Sequence, residues 1–216
     1  MAKLYFRYGA MGCSKTANAL MVAFNYQEKD LNPLVIKPKL ENRDGERIIK
    51  SRIGIERECK FVEEVIFPNN PNKTNLALQD IDCLIVDEVQ FCKPEEIKEM
   101  WRIVKDLQIP VMCYGLLTDF QGDLFPASRE LMVLADKREE LKTVCWCGDG
   151  ARCNARLDDK GNVVRKGEKI VLGGNDKYIS LCQKHFDEGD IGPKMRARYA
   201  TKEQNTPDIE EDLEMD

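Results

Sequence analysis

Gly9-Ala10-Met11-Gly12-Cys13-Ser14-Lys15-Thr16 is the stretch on which the reading of this chain turns. It follows Lys3–Tyr8, a strand-like segment, and opens Thr16–Tyr26, where Ala17, Leu20, Met21 and Phe24 recur at helical spacing. A glycine-bearing loop between a strand and a helix start aims successive backbone N–H groups at one point. The positive end of the helix dipole adds to them, and together they make a cradle for phosphate. Lys15 is placed to neutralise the outer phosphates of a nucleotide and the Thr16 hydroxyl to ligate magnesium, so residues 9–16 are candidate ATP-binding residues. The departure is Ser14, which stands where the general pattern has glycine. A residue with a Cβ must either adopt the conformation that glycine takes freely there or reshape the loop.

The pattern continues outward from that loop. Leu34–Lys37 reads as a second strand, and the polar, charged stretch from Pro38 to Glu58 as a mobile loop. Ile81–Val86 is apolar enough for a strand buried on both sides, and Asp87-Glu88 closes it. Pro94–Leu107 and Ser128–Ala135 read as helices, Pro110–Tyr114 and Leu141–Val144 as strands. Short buried strands alternating with helices predict a parallel sheet covered on both faces, an α/β fold of the P-loop NTPase type over residues 1–144. Ligands of such sheets bind at the carboxyl ends of the strands, where the acidic pair falls. Asp87 is thus a candidate for the magnesium shell, and Glu88 for accepting a proton from an attacking hydroxyl or water.

From 145 to 200 the composition changes. Cys145, Cys147, Cys182 and His185 form two close pairs around a Gly-, Asp- and Lys-rich middle with little to pack, and four such ligands suit structural, tetrahedral zinc. The first pair is spaced by one residue only, so neighbouring Cys153 is an alternative ligand within it. Nine cysteines in a chain whose first residues lack a secretory pattern read as reduced thiols, hence a cytoplasmic protein. With 43% hydrophobic and 33% charged residues and no apolar run near the length of a membrane helix, no membrane span is expected. The net charge of −5 is concentrated in the segment 201–216, which holds seven acidic residues and one lysine and reads as a disordered tail. The nearly neutral remainder offers no footprint for a nucleic-acid backbone.

Several motifs in this order resemble the type II thymidine kinases, which join a P-loop domain to a zinc-bearing lasso domain. They are residues 9–16, Val-Asp-Glu-Val-Gln-Phe at 86–91, Gly-Leu-Leu-Thr-Asp-Phe at 115–120 with Phe125, Gly-Gly-Asn-Asp-Lys-Tyr at 173–178, and the terminal Cys-His pair. The resemblance spans about Lys3 to Phe186. It implies that Glu88 is the base for the 5′-hydroxyl of thymidine or deoxyuridine, and that Asp87 and Gln90 belong with the ATP site. It further implies that Phe91, Leu117, Phe120, Phe125, Asn154, Arg156, Leu172, Gly173, Gly174 and Tyr178 surround the nucleoside, with Phe120 and Phe125 as walls and 173–178 reading the base edge. The family aspartate associated with magnesium is replaced by Glu41 in the charged loop that also holds Arg43 and Arg52. A homotetramer, and feedback by thymidine triphosphate, are the resemblance's further implications. Two other readings fit parts of the pattern. One is an ATPase that uses Asp87-Glu88 to activate water, and the other a non-enzymatic zinc module on a degenerate phosphate loop.

Overall fold

The structure, a computed structural model, describes residues 1–41, 45–169 and 177–204. Strand β1 (Leu4–Tyr8) leads into helix α1 (Lys15–Gln27), and β2 (Pro33–Lys37) precedes a hairpin of β3 (Ile48–Lys50) and β4 (Glu56–Glu58). Then come β5 (Lys60–Phe61), α2 (Val62–Val65), α3 (Pro71–Ala77), β6 (Cys83–Val86), α4 (Pro94–Arg102), β7 (Val111–Gly115), α5 (Pro126–Leu134) and β8 (Lys137–Glu140). Six of these strands form one parallel sheet in the order β5-β2-β6-β7-β1-β8. The α/β fold with helices on both faces is the one expected.

The strand residues explain the layers. Leu4, Phe6, Ile36, Leu84, Val86, Val111 and Cys113 point to one face, where they pack with Ile97 and Met100 of α4 and with Leu131 of α5. Their neighbours Val35, Cys83, Ile85, Met112 and Tyr114 point to the other, against Ala19, Leu20 and Ala23 of α1. Successive side chains of a strand alternate in direction, so a strand buried on both sides must be apolar throughout. Small alanines on α1 let that helix lie close to the sheet, which fixes the start of α1 over the sheet's carboxyl edge.

Two elements depart from the sequence reading. The edge strand is the charged Lys137–Glu140 and not Leu141–Val144; Thr143–Val144 (β9) pairs instead with Gly150–Ala151 (β10). All four residues of β8 are exposed. An edge strand held by its backbone pairing to β1 and by an ion pair of Glu139 Oε2 with Arg7 Nε at 3.0 Å carries no apolar signature. The stretch expected as a mobile loop contains the β3–β4 hairpin, and Ile49 buries against α1. Its anchor is Lys37, only 1% exposed, whose ammonium donates to Glu41 Oε2 at 3.3 Å, to Gly45 O at 2.8 Å and to Ile48 O at 2.9 Å.

Beyond β10 the chain forms a three-stranded antiparallel sheet of β11 (Cys153–Leu157), β12 (Val163–Val164) and β13 (Tyr178–Leu181), followed by α6 (Gln183–Glu188) and α7 (Gly192–Gln204). Helix α7 runs into the start of the acidic segment, and residues 205–216 lie outside the described residues. No described helix is long and apolar enough to cross a membrane.

Lys37→Met takes the cation away from the buried Glu41 carboxylate, and removing one partner of a buried pair costs about 3 kcal/mol. Urea unfolding should show a loss of that order; a loss within experimental error would mean that the pair does not hold the hairpin.

Candidate active site

The phosphate loop lies between β1 and α1. Ser14 has φ 62° and ψ 28°, the left-handed conformation glycine would take, so the loop keeps its shape at a cost of about 1 kcal/mol for the Cβ. Helix α1 starts without a side-chain cap and without an acidic residue in its first turn. Its first N–H groups thus remain available to an anion. Lys15 is buried, with its ammonium 3.0 Å from Gly9 O and Ala10 O and 3.4 Å from Cys13 Sγ.

At the end of β6, two strands away, Asp87 reaches back to this loop, where Thr16 Oγ1 donates to its Oδ2 at 2.8 Å. Asp87 is 3% exposed, and its Oδ1 is buried with no hydrogen-bond partner among the described residues. Burial, and after it the neighbouring Glu88 charge, pushes this carboxyl up to about 7 against the pull of the Thr16 hydroxyl. An orphaned carboxylate oxygen beside a threonine hydroxyl is a donor set that fits magnesium, whose charge would reverse the penalty of keeping Asp87 ionised.

Glu88 is also left-handed, with φ 50° and ψ 38°, at the head of a tight turn over Val89–Phe91. Strained backbone at both Ser14 and Glu88 is the pattern expected where surrounding structure imposes a functional geometry. Gln90 fixes the Glu88 side chain. Its Nε2 donates to Glu88 Oε2 at 2.5 Å, while its Oε1 accepts from Leu116 N at 2.9 Å. Gln90 is 2% exposed, and the fit needs Gly115, because a Cβ there would stand 2.6 Å from Gln90 Oε1. Leu116 O in turn accepts from Ser128 Oγ of α5 at 2.6 Å, so the carboxylate is tied to that helix.

Among the described residues named for the nucleoside, contacts run within the first module and between it and the second. Phe91 and Phe125 meet edge to face at 6.1 Å and 78°. Half-buried Leu117 accepts at its carbonyl from Phe125 N. Phe120 lies under the Arg156 guanidinium, which is 3.8 Å from the ring centre and donates to Glu168 O at 2.6 Å. Asn154 joins the modules: its Oδ1 accepts from Met11 N at 2.8 Å and its Nδ2 donates to Thr118 O at 3.2 Å. Tyr178, half-buried, pairs with Arg156 in the strand ladder. Leu172, Gly173 and Gly174, like Arg43, lie outside the described residues. Glu41 faces Lys37. The structural work of Gln90, Asn154 and Lys37 left no mark in the sequence, since a polar residue's partners across the fold have no spacing to read.

Cys145, Cys147, Cys182 and His185 come together with their ligand atoms all within 4.8 Å of one another. Cys145 Sγ is 3.5 Å and Cys182 Sγ 3.3 Å from His185 Nδ1, and Cys147 Sγ is 4.0 Å from Cys182 Sγ. A tetrahedron with metal–ligand bonds of about 2.3 Å has edges of about 3.8 Å, which these separations match. Burial works against the Cys145 thiolate, yet the backbone N–H groups of Cys147 and Cys182, with His185, bring that thiol down to about 7. Trp146 stacks on His185 at 4.4 Å and holds the ring in place. The cluster is compatible with a bound metal. Cys153 stands apart, its Sγ 3.5 Å from Gln183 Oε1.

A phosphate cradle, a magnesium-fitting Thr16–Asp87 pair and a fixed carboxylate next to them define a P-loop phosphotransferase. The family model described as thymidine kinase matches residues 2–186. Thymidine kinases of Pasteurella multocida and Shewanella oneidensis are each 43% identical, over 188 and 193 residues, covering 87% of this chain and 98% of the relative. That of Yersinia pseudotuberculosis is 40% identical over 195 residues, covering 87% of this chain and 96% of its own. The chain belongs to the thymidine kinase family.

Because Asp87 binds its proton more tightly folded than unfolded, the ionised carboxylate weakens the fold as pH rises from about 4 to about 7. Without magnesium, Asp87→Asn should therefore raise Tm relative to the wild type at pH 8 and have little effect at pH 4; equal shifts at both would contradict a buried, unpartnered carboxylate.

Proposed function

We propose that this chain transfers the γ-phosphate of ATP to the 5′-hydroxyl of thymidine, and of deoxyuridine, with Glu88 as base. The observation that carries the reading is the Glu88 carboxylate, held by Gln90 beside Asp87 and the loop that contains Lys15. As the hydroxyl oxygen attacks the γ-phosphorus, its proton passes to Glu88, the new O–P bond forms and the bond to the β-phosphate oxygen breaks, releasing ADP. Lys15 and the N–H groups of residues 12–16 hold the triphosphate, and Thr16 with Asp87 would hold magnesium. The metal would supply charge neutralisation on the phosphates. The protein contributes alignment, which for two bound reactants is a large share of the barrier.

Phe91, Phe120 and Phe125 support an apolar slot for the pyrimidine, with Arg156 and Asn154 joining it to the small module. Segment 173–178 would pair the base's polar edge; a wrong base then leaves buried groups unpaired, and discrimination results. Thymidine triphosphate carries both the base and the phosphates, and feedback would use the same two subsites. An ATPase would need no such slot beside Glu88, and that reading is not favoured.

The Cys145, Cys147, Cys182 and His185 set supports zinc with four protein ligands and no open position, hence a structural ion for residues 145–200. Assembly as a homotetramer is what the family resemblance implies. Nine cysteines, none of them in a disulfide, support a reducing, cytoplasmic location. The reading divides the chain into a kinase unit over 1–144, the zinc-bearing unit over 145–200 and an acidic tail over 201–216.

A panel of nucleosides assayed with labelled ATP tests the function: phosphate should move to thymidine and deoxyuridine, and ATP hydrolysis indifferent to nucleoside would refute it. Glu88→Gln should lower kcat by about 10²–10⁴-fold, the range of a lost general base, with KM for thymidine and ATP nearly unchanged. Elemental analysis should find about one zinc per chain, and stripping it with a chelator should lower Tm; a metal-free chain of unchanged Tm would exclude the structural ion.

A further inference from the structure

The stretch that reads as a loop in the sequence carries an arginine to the phosphate cradle. Strand β3 docks on α1 through Ile49, which is 3% exposed among Ala19, Leu20 and Ala23. The turn after it is closed by its own hydrogen bonds. Ser51 N donates to Ile55 O at 2.8 Å, Ile55 N to Ser51 Oγ at 3.1 Å, and Gly54 N to Ser51 O at 3.0 Å. Ser51 is itself 5% exposed, and Lys37 secures the hairpin at Ile48 O. Arg52 leaves this fixed point and lies over Gly12: a Cβ built on Gly12 would stand 3.4 Å from Arg52 Nη1. Gly12 is the fourth residue of the loop, with φ +80°, a conformation that residues with a Cβ rarely adopt, and the Arg52 guanidinium stands just beyond the space a Cβ would fill.

We infer that Arg52 is a second phosphate-binding cation of the active site, reaching the triphosphate from the solvent side while Lys15 holds it from within the loop. The inference rests on the kinase reading. Lys15 is bound to Gly9 O and Ala10 O on the inner side of the loop. Arg52 approaches from the hairpin side and is exposed, so it can turn to a ligand without disturbing the core. During transfer, charge spreads over the three γ-oxygens, and a planar guanidinium offers two of them a pair of parallel donors in a fixed fork, a geometry that the rotatable donors of an ammonium do not hold in advance. Where P-loop enzymes place an arginine on the transferring phosphate, it accounts for about 10³–10⁵ in rate. An arginine held at the rim by a turn, and more accessible than one inside the cradle, should contribute less.

The test is steady-state kinetics of Arg52→Ala and Arg52→Lys beside the wild type, with binding of magnesium ADP and of a magnesium complex of a non-hydrolysable ATP analogue. Arg52→Ala should lose about 30-fold or more in kcat, with KM for thymidine within about twofold and Arg52→Lys recovering only part. Its affinity for the triphosphate analogue should fall about tenfold while that for ADP hardly moves. A kcat within about threefold of wild type, or equal losses for diphosphate and triphosphate, would overturn the inference. Wild-type turnover of thymidine reports separately on the kinase reading. An active wild type matched by Arg52→Ala would sink the arginine alone.

Discussion

The hydrogen bond from Thr16 Oγ1 to Asp87 Oδ2, 2.8 Å long, ties the start of α1 to the end of β6 across the carboxyl edge of the sheet. It is the link on which the site depends, because the phosphate loop and the acidic pair belong to strands that are not neighbours in the sheet. Parallel pairing brings the carboxyl ends of all six strands to one side, so the segments leaving β1, β6 and β7 must meet there. The loop after β1 brings Lys15 and Thr16, the turn after β6 brings Asp87 and Glu88, and the segment after β7 brings Leu116, Leu117 and Phe120.

This edge is held under strain and with an unmet partner. Ser14 and Glu88 both occupy the left-handed region, and Asp87 keeps one buried oxygen without a donor among the described residues. Such features persist only where neighbouring structure over-determines them. Gln90 supplies part of that determination, because its two ends join the carboxylate of Glu88 to the backbone just beyond β7. The small module adds more through Asn154, whose amide bridges Met11 of the loop and Thr118. A module whose own core is small thereby becomes part of the kinase site, and a metal at its Cys-His cluster would stiffen the strand that carries Asn154 and Arg156.

The readability of the sequence varied with the kind of signal. Buried strands β2, β6 and β7 were legible because both of their faces are apolar, and the P-loop and the Cys-His pairs because their ligands sit at fixed short spacings. The edge strand β8 was not, since Lys137–Glu140 is held by backbone bonds to β1 and shows no pattern. The β3–β4 hairpin was missed for a related reason: one buried isoleucine, Ile49, and a buried lysine anchor it, while its other isoleucines, Ile48, Ile53 and Ile55, are exposed and form no periodic face.

By itself, the sequence determined the phosphate loop, the acidic pair at a strand end, the alternation of buried strands and helices, and a four-ligand set for a metal. These depend on local geometry, on the conformations and contacts open to consecutive or nearly consecutive residues. Only the tertiary structure decided that Ser14 keeps the loop's shape, that Cys153 stands outside the ligand cluster, that Gln90 fixes Glu88, and that Arg52 lies over Gly12. Each of these joins groups brought together by the packing of whole elements or by a turn's backbone conformation, and neither is written in the spacing of residues along the chain.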